Sequence, residues 1–208
     1  LDPNSLRDPV APYLARLHEM PKRLRIGLSK DLGYAVVQSD IEKIFEESLQ
    51  VFQQLGHELI PIETPAPDCT EIWIRAAAFD LASLLHEHLP ERASEFGTEF
   101  LTIVQSALAI SAQEWSEIRK RREQLNLWCA QTFEHIDILL TPTAPCDPPP
   151  AEGPLSNRVE GRSVAPANIA AFTIPFNLSW HPAITVPAGR SRAGLPVGLQ
   201  IVATRGRD

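Results

Sequence analysis

The sequence predicts an α/β protein, a mixed β-sheet covered by helices. Three observations carry this. Short apolar runs closed by glycine or proline recur along the chain. Between them lie stretches with apolar residues at helical spacing, three of them opened by Ser or Asp with Glu three residues on. The first strand, helix and strand follow one another in the order of a βαβ unit, for which a right-handed crossover is expected.

Residues 1–21 are interrupted by Pro3, Pro9, Pro12 and Pro21 and read as irregular chain. RLRIGLS (23–29) reads as a short buried strand. A helix then opens at Ser39, whose hydroxyl and the Glu42 carboxylate fit a capping box. Ile41, Ile44, Phe45, Leu49, Phe52 and Leu55 mark its apolar face, and Gly56 ends it. HELIPIE (57–63) is the next strand. Asp68 and Glu71 predict a second capping box, with a helix from about 70 to 89 that turns Ile72, Phe79 and Leu84 inward and stops before Pro90. A further helix is expected over 98–109. Ser111 and Glu114 open a long one, with Trp115, Ile118, Leu125 and Trp128 inward, running to about 134. IDILLTP (136–142) is a buried strand closed by proline. Composition then shifts: ten of the 19 prolines lie between Pro142 and Pro187, so TPTAPCDPPPAEGP must be loop. Residues 183–188 and 196–204, joined by a turn near SRAG, read as a hairpin. No repeat or linker divides the 208 residues, which read as a single domain. Strand order does not follow from the sequence.

Bulk properties narrow the function. A net charge of −7 with no basic, aromatic-laced stripe argues against nucleic acid as a partner. No apolar run reaches the roughly 20 residues of a membrane helix. Three cysteines, Cys69, Cys129 and Cys146, at scattered positions match neither a disulfide framework nor a metal knuckle, which fits a reducing, cytoplasmic setting. The chain opens on Leu1, without Met or a signal-peptide layout, so a fragment or processed product is expected.

Candidate chemistry is sparse. His86 and His88 are two apart on a helix and do not share a face, so they read as a solvated helix end rather than a metal site. Arg119–Arg122 alternates with Glu117 and Glu123 and reads as a solvated, ion-paired face. Cys146 and His181 both lie in proline-stiffened loops and form a minor candidate for a thiol nucleophile and its base. The four lysines (Lys22, Lys30, Lys43, Lys120) sit in no Gly/Ser-rich setting, and no phosphate loop or nucleophile elbow is present. No cofactor or metal is implied.

DILLTPTAP (137–145), PFNLSWHPAITVPAG (175–189) and GLPVGLQIV (194–202), in that order, resemble the C-terminal half of amidase-signature hydrolases. LRIG (24–27), the Gly56-His57 strand entry and SAQEW (111–115) leading to FEHIDILLTPT (133–143) agree with it. The resemblance covers essentially the whole chain and implies the C-terminal portion of an amidase-signature fold, acting on carbon–nitrogen bonds of a small-molecule amide. It implies catalysis by a serine, a second serine in a cis peptide bond and a lysine, all borne by an N-terminal half. No position here inherits those roles, so the chain alone is expected to be inactive, its partner being the missing N-terminal half or a second copy. By the same resemblance Thr143, Phe176, Asn177 and Trp180 would line the substrate cleft, with core filling as the other reading of the two aromatics. Many relatives have Gly where Trp180 stands. Glutamine-using relatives carry an Asp where Ala170 stands, and an Arg on a preceding helix, whereas 93–118 contains none. A general amidase is therefore expected over a subunit of a glutamine amidotransferase. The other reading is a non-catalytic truncated relative used for binding or assembly.

Overall fold

A computed structural model describes residues 23–207 together with Leu14 and Glu19. Apart from those two residues, the irregular chain expected over 1–21 lies outside the described residues. The elements, in order, are β1 (Arg25–Leu28), α1 (Ser39–Gln54), β2 (Glu58–Pro61), α2 (Thr70–Leu85), α3 (Leu89–Arg92), α4 (Thr98–Ala107), α5 (Ala112–His135), β3 (Ile138–Pro142), β4 (Arg158–Val159), β5 (Arg162–Ser163), α6 (Ile174–Ser179), β6 (Ala183–Arg190) and β7 (Pro196–Ala203). No helix among them is long and apolar enough to cross a membrane.

The main sheet runs β2-β1-β3-β7-β6. β1 pairs parallel with β2 and β3, and β3 and β6 pair antiparallel with β7. The mixed α/β sheet expected from the sequence is thus present. Alternation along the strands builds two apolar layers. Ile26, Leu140 and Leu199 meet Phe45 of α1 on one face. Leu139 and Val202 meet Leu125, Trp128 and Cys129 of α5 and Phe172, Ile174 and Phe176 on the other. A third cluster, Ala78, Ala82, Val104 and Ala107, holds α2 to α4 away from the sheet.

The predicted caps resolve differently. Ser111 accepts from Glu114 N at 3.2 Å while the Glu114 carboxylate accepts from Ser111 N at 2.9 Å, the reciprocal box expected. Ser39 instead lies within its helix and donates to the Glu160 carboxylate at 2.7 Å, so Gln38 occupies the N-cap without a side-chain cap bond. Asp68 accepts from Thr70 N at 3.0 Å rather than closing a box with Glu71. α2 ends at Leu85, short of the expected 89, and Leu84 is 74 % exposed rather than inward. The segment read as loop before β6 contains α6, in which Pro175 sits in the first turn, where its missing N–H has no helical partner to lose.

One polar contact is buried inside the sheet. Gln200 Nε2 donates to Thr141 Oγ1 and to the Phe172 carbonyl, both at 2.9 Å. Thr141 and Gln200 are register partners on β3 and β7. Replacing Gln200 by Leu strands the Phe172 carbonyl without a donor in a buried setting. Gln200→Leu should lower unfolding free energy by about 1–3 kcal/mol, read from the urea midpoint at unchanged m-value.

Candidate functional site

β1, β2 and β3 are parallel, and ligands of such sheets gather beyond the strands' carboxyl ends. β3 ends there at Pro142, and Thr143 continues its ladder by donating its N–H to the Gly198 carbonyl at 2.9 Å. A cavity of about 410 Å³ opens at this point, lined among others by Ile41, Thr143, Cys146, Thr185, Val186 and Val197. Its lining is mainly apolar, and Asp147 is the one charged residue in it. The Thr143 and Thr185 hydroxyls meet at 3.1 Å across β7. They can do so because residue 198 is Gly: a Cβ there would come within 2.6 Å of Thr185 Cγ2 and 2.8 Å of Thr143 Oγ1.

The loop forming one wall is stitched to the chain entering α1. Gln38 N donates to the Pro145 carbonyl at 2.8 Å, and the Gln38 amide donates to the Asp147 carboxylate at 3.2 Å. Asn168 bonds both N–H and C=O of Val36, and the Tyr34 hydroxyl donates to the Ala171 carbonyl at 2.7 Å. A proline-rich segment with little secondary structure of its own is thereby held by hydrogen bonds to one short stretch, 34–38.

The four residues expected to line a cleft do not converge. Thr143 lines the cavity. Phe176 is 2 % exposed and fills the core beside Phe172 and Ile174, the other of its two readings. Asn177 is exposed on α6. Trp180 is 54 % exposed and follows α6 at the far end of the sheet. There Ala203 N donates to the Pro182 carbonyl and Arg205 Nε to the Ser179 carbonyl. At about 3.4 Å per residue, roughly 17 Å of β7 separates Gly198 from Ala203. Thr143 and Trp180 therefore belong to opposite ends of the sheet.

The Cys146–His181 pair fails for the same reason. Cys146 lines the cavity and its thiol is pushed up by burial and by Asp147, away from the thiolate a nucleophile needs. His181 stacks on Phe133 at 5.1 Å between ring centroids, with Nδ1 2.9 Å from the fully buried Ser179 hydroxyl. His86 and His88 are exposed, and no group of three or more His, Cys, Asp or Glu among the described residues could hold a metal. Arg119 and Arg121 pair with Glu123 and Glu117 at 3.7 and 3.4 Å, the solvated face expected. Arg122 does not follow them: its Nε donates to the Leu178 carbonyl at 2.9 Å. Sequence reasoning missed Gly198, whose signal was a glycine inside a strand pattern.

Burial first, and then the charge of Arg205, push His181 down to about 4. An unfolded chain would protonate it near 6.5, so between those values the unfolded state binds the extra proton. The contribution of neutral His181 is complete above about pH 6.5 and is lost as pH falls toward 4. Melting temperature should drop across that window, and His181→Gln should flatten the drop. Separately, Gly198→Ala must displace the two threonines and should cost about 1–3 kcal/mol by overpacking, seen as a lower urea midpoint.

The family model described as Amidase matches residues 1–208. A glutamyl-tRNA(Gln) amidotransferase subunit from Geotalea daltonii is 30% identical over 97% of this chain and 46% of that protein. The 2-amino-5-chloromuconic acid deaminase of Comamonas testosteroni is 29% identical over 86% of this chain and 39% of that protein. Among solved structures, a bacterial aryl acylamidase of the amidase signature family superposes with TM-score 0.78 at 23% identity, over 88% of this chain and 40% of that one. A vestigial complex bearing on the origins of an s-triazine catabolic enzyme gives 0.83 at 19% identity, over 100% and 45%. At these identities the structural likenesses speak for the fold. The chain spans about half the length of the curated relatives it matches.

Proposed function

Because the chain belongs to the amidase family and corresponds to the C-terminal part of its relatives, we propose that it supplies one side of the substrate cleft of an amide hydrolase whose nucleophile and base come from the other part. The observation that carries this is the cavity at the carboxyl end of β3. It offers an apolar surface and a pair of hydroxyls, Thr143 and Thr185, but no nucleophile–base pair. Such a surface orients an acyl or amine group without attacking it. The attacking group and oxyanion donors dominate such catalysis, so the chain alone is inactive.

A general amidase is favoured over a glutamine-using enzyme. Glutamine's α-amine and α-carboxylate call for charge-assisted partners. Ala170 offers no carboxylate, and 93–118 carries no arginine. The complementary part would lie along β6, the long outer edge of the sheet, where Ile184 is 61 % exposed beside the cavity-lining Thr185. A second copy of the chain is the other occupant that this edge could accept.

Incubated alone with a panel of neutral acyl anilides, the chain should release no arylamine above background. Co-expressed with an N-terminal amidase portion encoded beside it, it should hydrolyse them and leave glutamine untouched. Thr143→Val in that complex should raise KM by about two- to ten-fold, the worth of one hydrogen bond. Turnover by the chain alone would overturn the reading, and a stable homodimer would point to the second copy.

A further inference from the structure

Trp180 has no role in the cavity, yet it is held in an unfavourable backbone geometry. Its φ and ψ are 57° and 38°, the left-handed region that glycine enters freely and a tryptophan does not. A bulky residue kept there, half in solvent, invites a functional explanation. The surroundings give it one.

The Arg122 guanidinium lies over the indole, 4.7 Å from the ring centroid. Its Nε is spent on the Leu178 carbonyl. Arg205 spends Nε on the Ser179 carbonyl and one terminal nitrogen on the Asn126 side chain, each at 2.6 Å. Two guanidiniums thus grip consecutive carbonyls immediately before Trp180, and each keeps terminal N–H donors unused by those bonds. Among the described residues neither is paired with a carboxylate, in a chain whose net charge is −7. The segment is also stiff: Pro175 and Pro182 bracket it, and His181 is stacked on Phe133. Little ordering entropy remains to be lost when something binds.

We propose that Trp180, Arg122 and Arg205 form a docking point for an acidic segment of a separate protein, with a partner Asp or Glu accepting from the two guanidiniums and partner apolar groups covering the indole. Exposed Trp and Arg are the residues that dominate protein–protein affinity. Trp180 is not among the residues lining the cavity, and Ala203, whose N–H meets Pro182, lies three residues, or about 10 Å of strand, beyond Gln200, the partner of the cavity-lining Thr185. A symmetric pairing of two copies through this patch would bring four guanidiniums together, so the partner is a different polypeptide. Docking here does not depend on amide hydrolysis.

The test is fluorescence anisotropy of dye-labelled poly-L-glutamate titrated with the full chain at low ionic strength. The wild type should bind, and Trp180→Gly and Arg122→Gln should each weaken binding at least ten-fold. Trp180→Gly removes the indole while adopting the same backbone freely, so its melting curve should remain cooperative and the loss cannot be put down to unfolding. Sodium acetate should compete only weakly. Absent binding, or equal binding by wild type and Trp180→Gly, overturns the proposal. Saturable competition by acetate at the affinity of the polymer also overturns it, in favour of a small-anion site.

Discussion

The pairing of β3 with β7 is the joint on which the molecule depends. On one side of it β1, β2 and β3 are parallel strands, linked by chain that must cross over through helices. On the other side β6 and β7 are a local hairpin that could form by itself. β3 and β7 hold the two together, and within their ladder sit Thr141 and Gln200, both buried. A slip of one residue would turn Gln200 toward α1, among Phe45, Leu140 and Leu199, with nothing there to accept or donate. The polar pair therefore fixes register where purely apolar contacts would tolerate error. Its second bond, to the Phe172 carbonyl, extends that control to the chain approaching α6.

From this joint the proline-rich stretch after β3 reaches both ends of the sheet. Its beginning walls the cavity, tied to Gln38 through Pro145 and Asp147. Its middle returns past Asn168 and Ala171, tied to Val36 and Tyr34. α6 then carries it along the sheet to Trp180 and His181. Prolines keep the segment out of regular structure, so its backbone groups need partners from elsewhere. Those partners include single groups on α5, on β7 and the chain just after it, and on the entry to α1. The same property that makes the stretch unfit for a helix makes its position depend on a few identifiable hydrogen bonds.

Most elements were legible because they are periodic. α1, α5, β3 and the β6–β7 hairpin follow from apolar spacing and their stop residues. The Ser111 box was legible because both of its halves lie on one exposed turn, and Arg75, which binds the other carboxylate oxygen of Glu114, leaves it intact. Ser39 was not, since its hydroxyl meets Glu160 and Arg192, which only the folded chain brings near. α6 was hidden by its six-residue length and by Pro175, which reads as a breaker unless it is known to occupy a first turn. Leu84 reads as inward by period, but α2 ends at Leu85 and among the described residues Leu84 is left 74 % exposed. For the site, Thr143 came from the family resemblance, and the structure places it at the cavity. The separation of Trp180 from it was not legible. Trp180 precedes β6 in sequence, and which end of the sheet that places it at depends on the strand directions and order, β3-β7-β6, that no local pattern encodes.

The two outer edges of the sheet are unlike. β2 is four residues long, begins with Glu58 and ends in Pro61, so it presents little ladder to a neighbour. β6 is eight residues long, and its pairing with β7 is interrupted only near Pro187 and Gly189. Its first three residues, Ala183, Ile184 and Thr185, are all exposed. A long edge with an outward isoleucine invites aggregation when left open, and folded proteins blunt or cover such edges. Pro187 and the bulge blunt one half of β6 only. The unprotected half lies between the cavity and Trp180, so whatever covers it will touch Thr185 at one end and come close to the indole at the other. In the proposed reading the complementary part and the docked partner would be neighbours on one strand, and a cover seated on β6 would need to leave Trp180 clear for the second to bind.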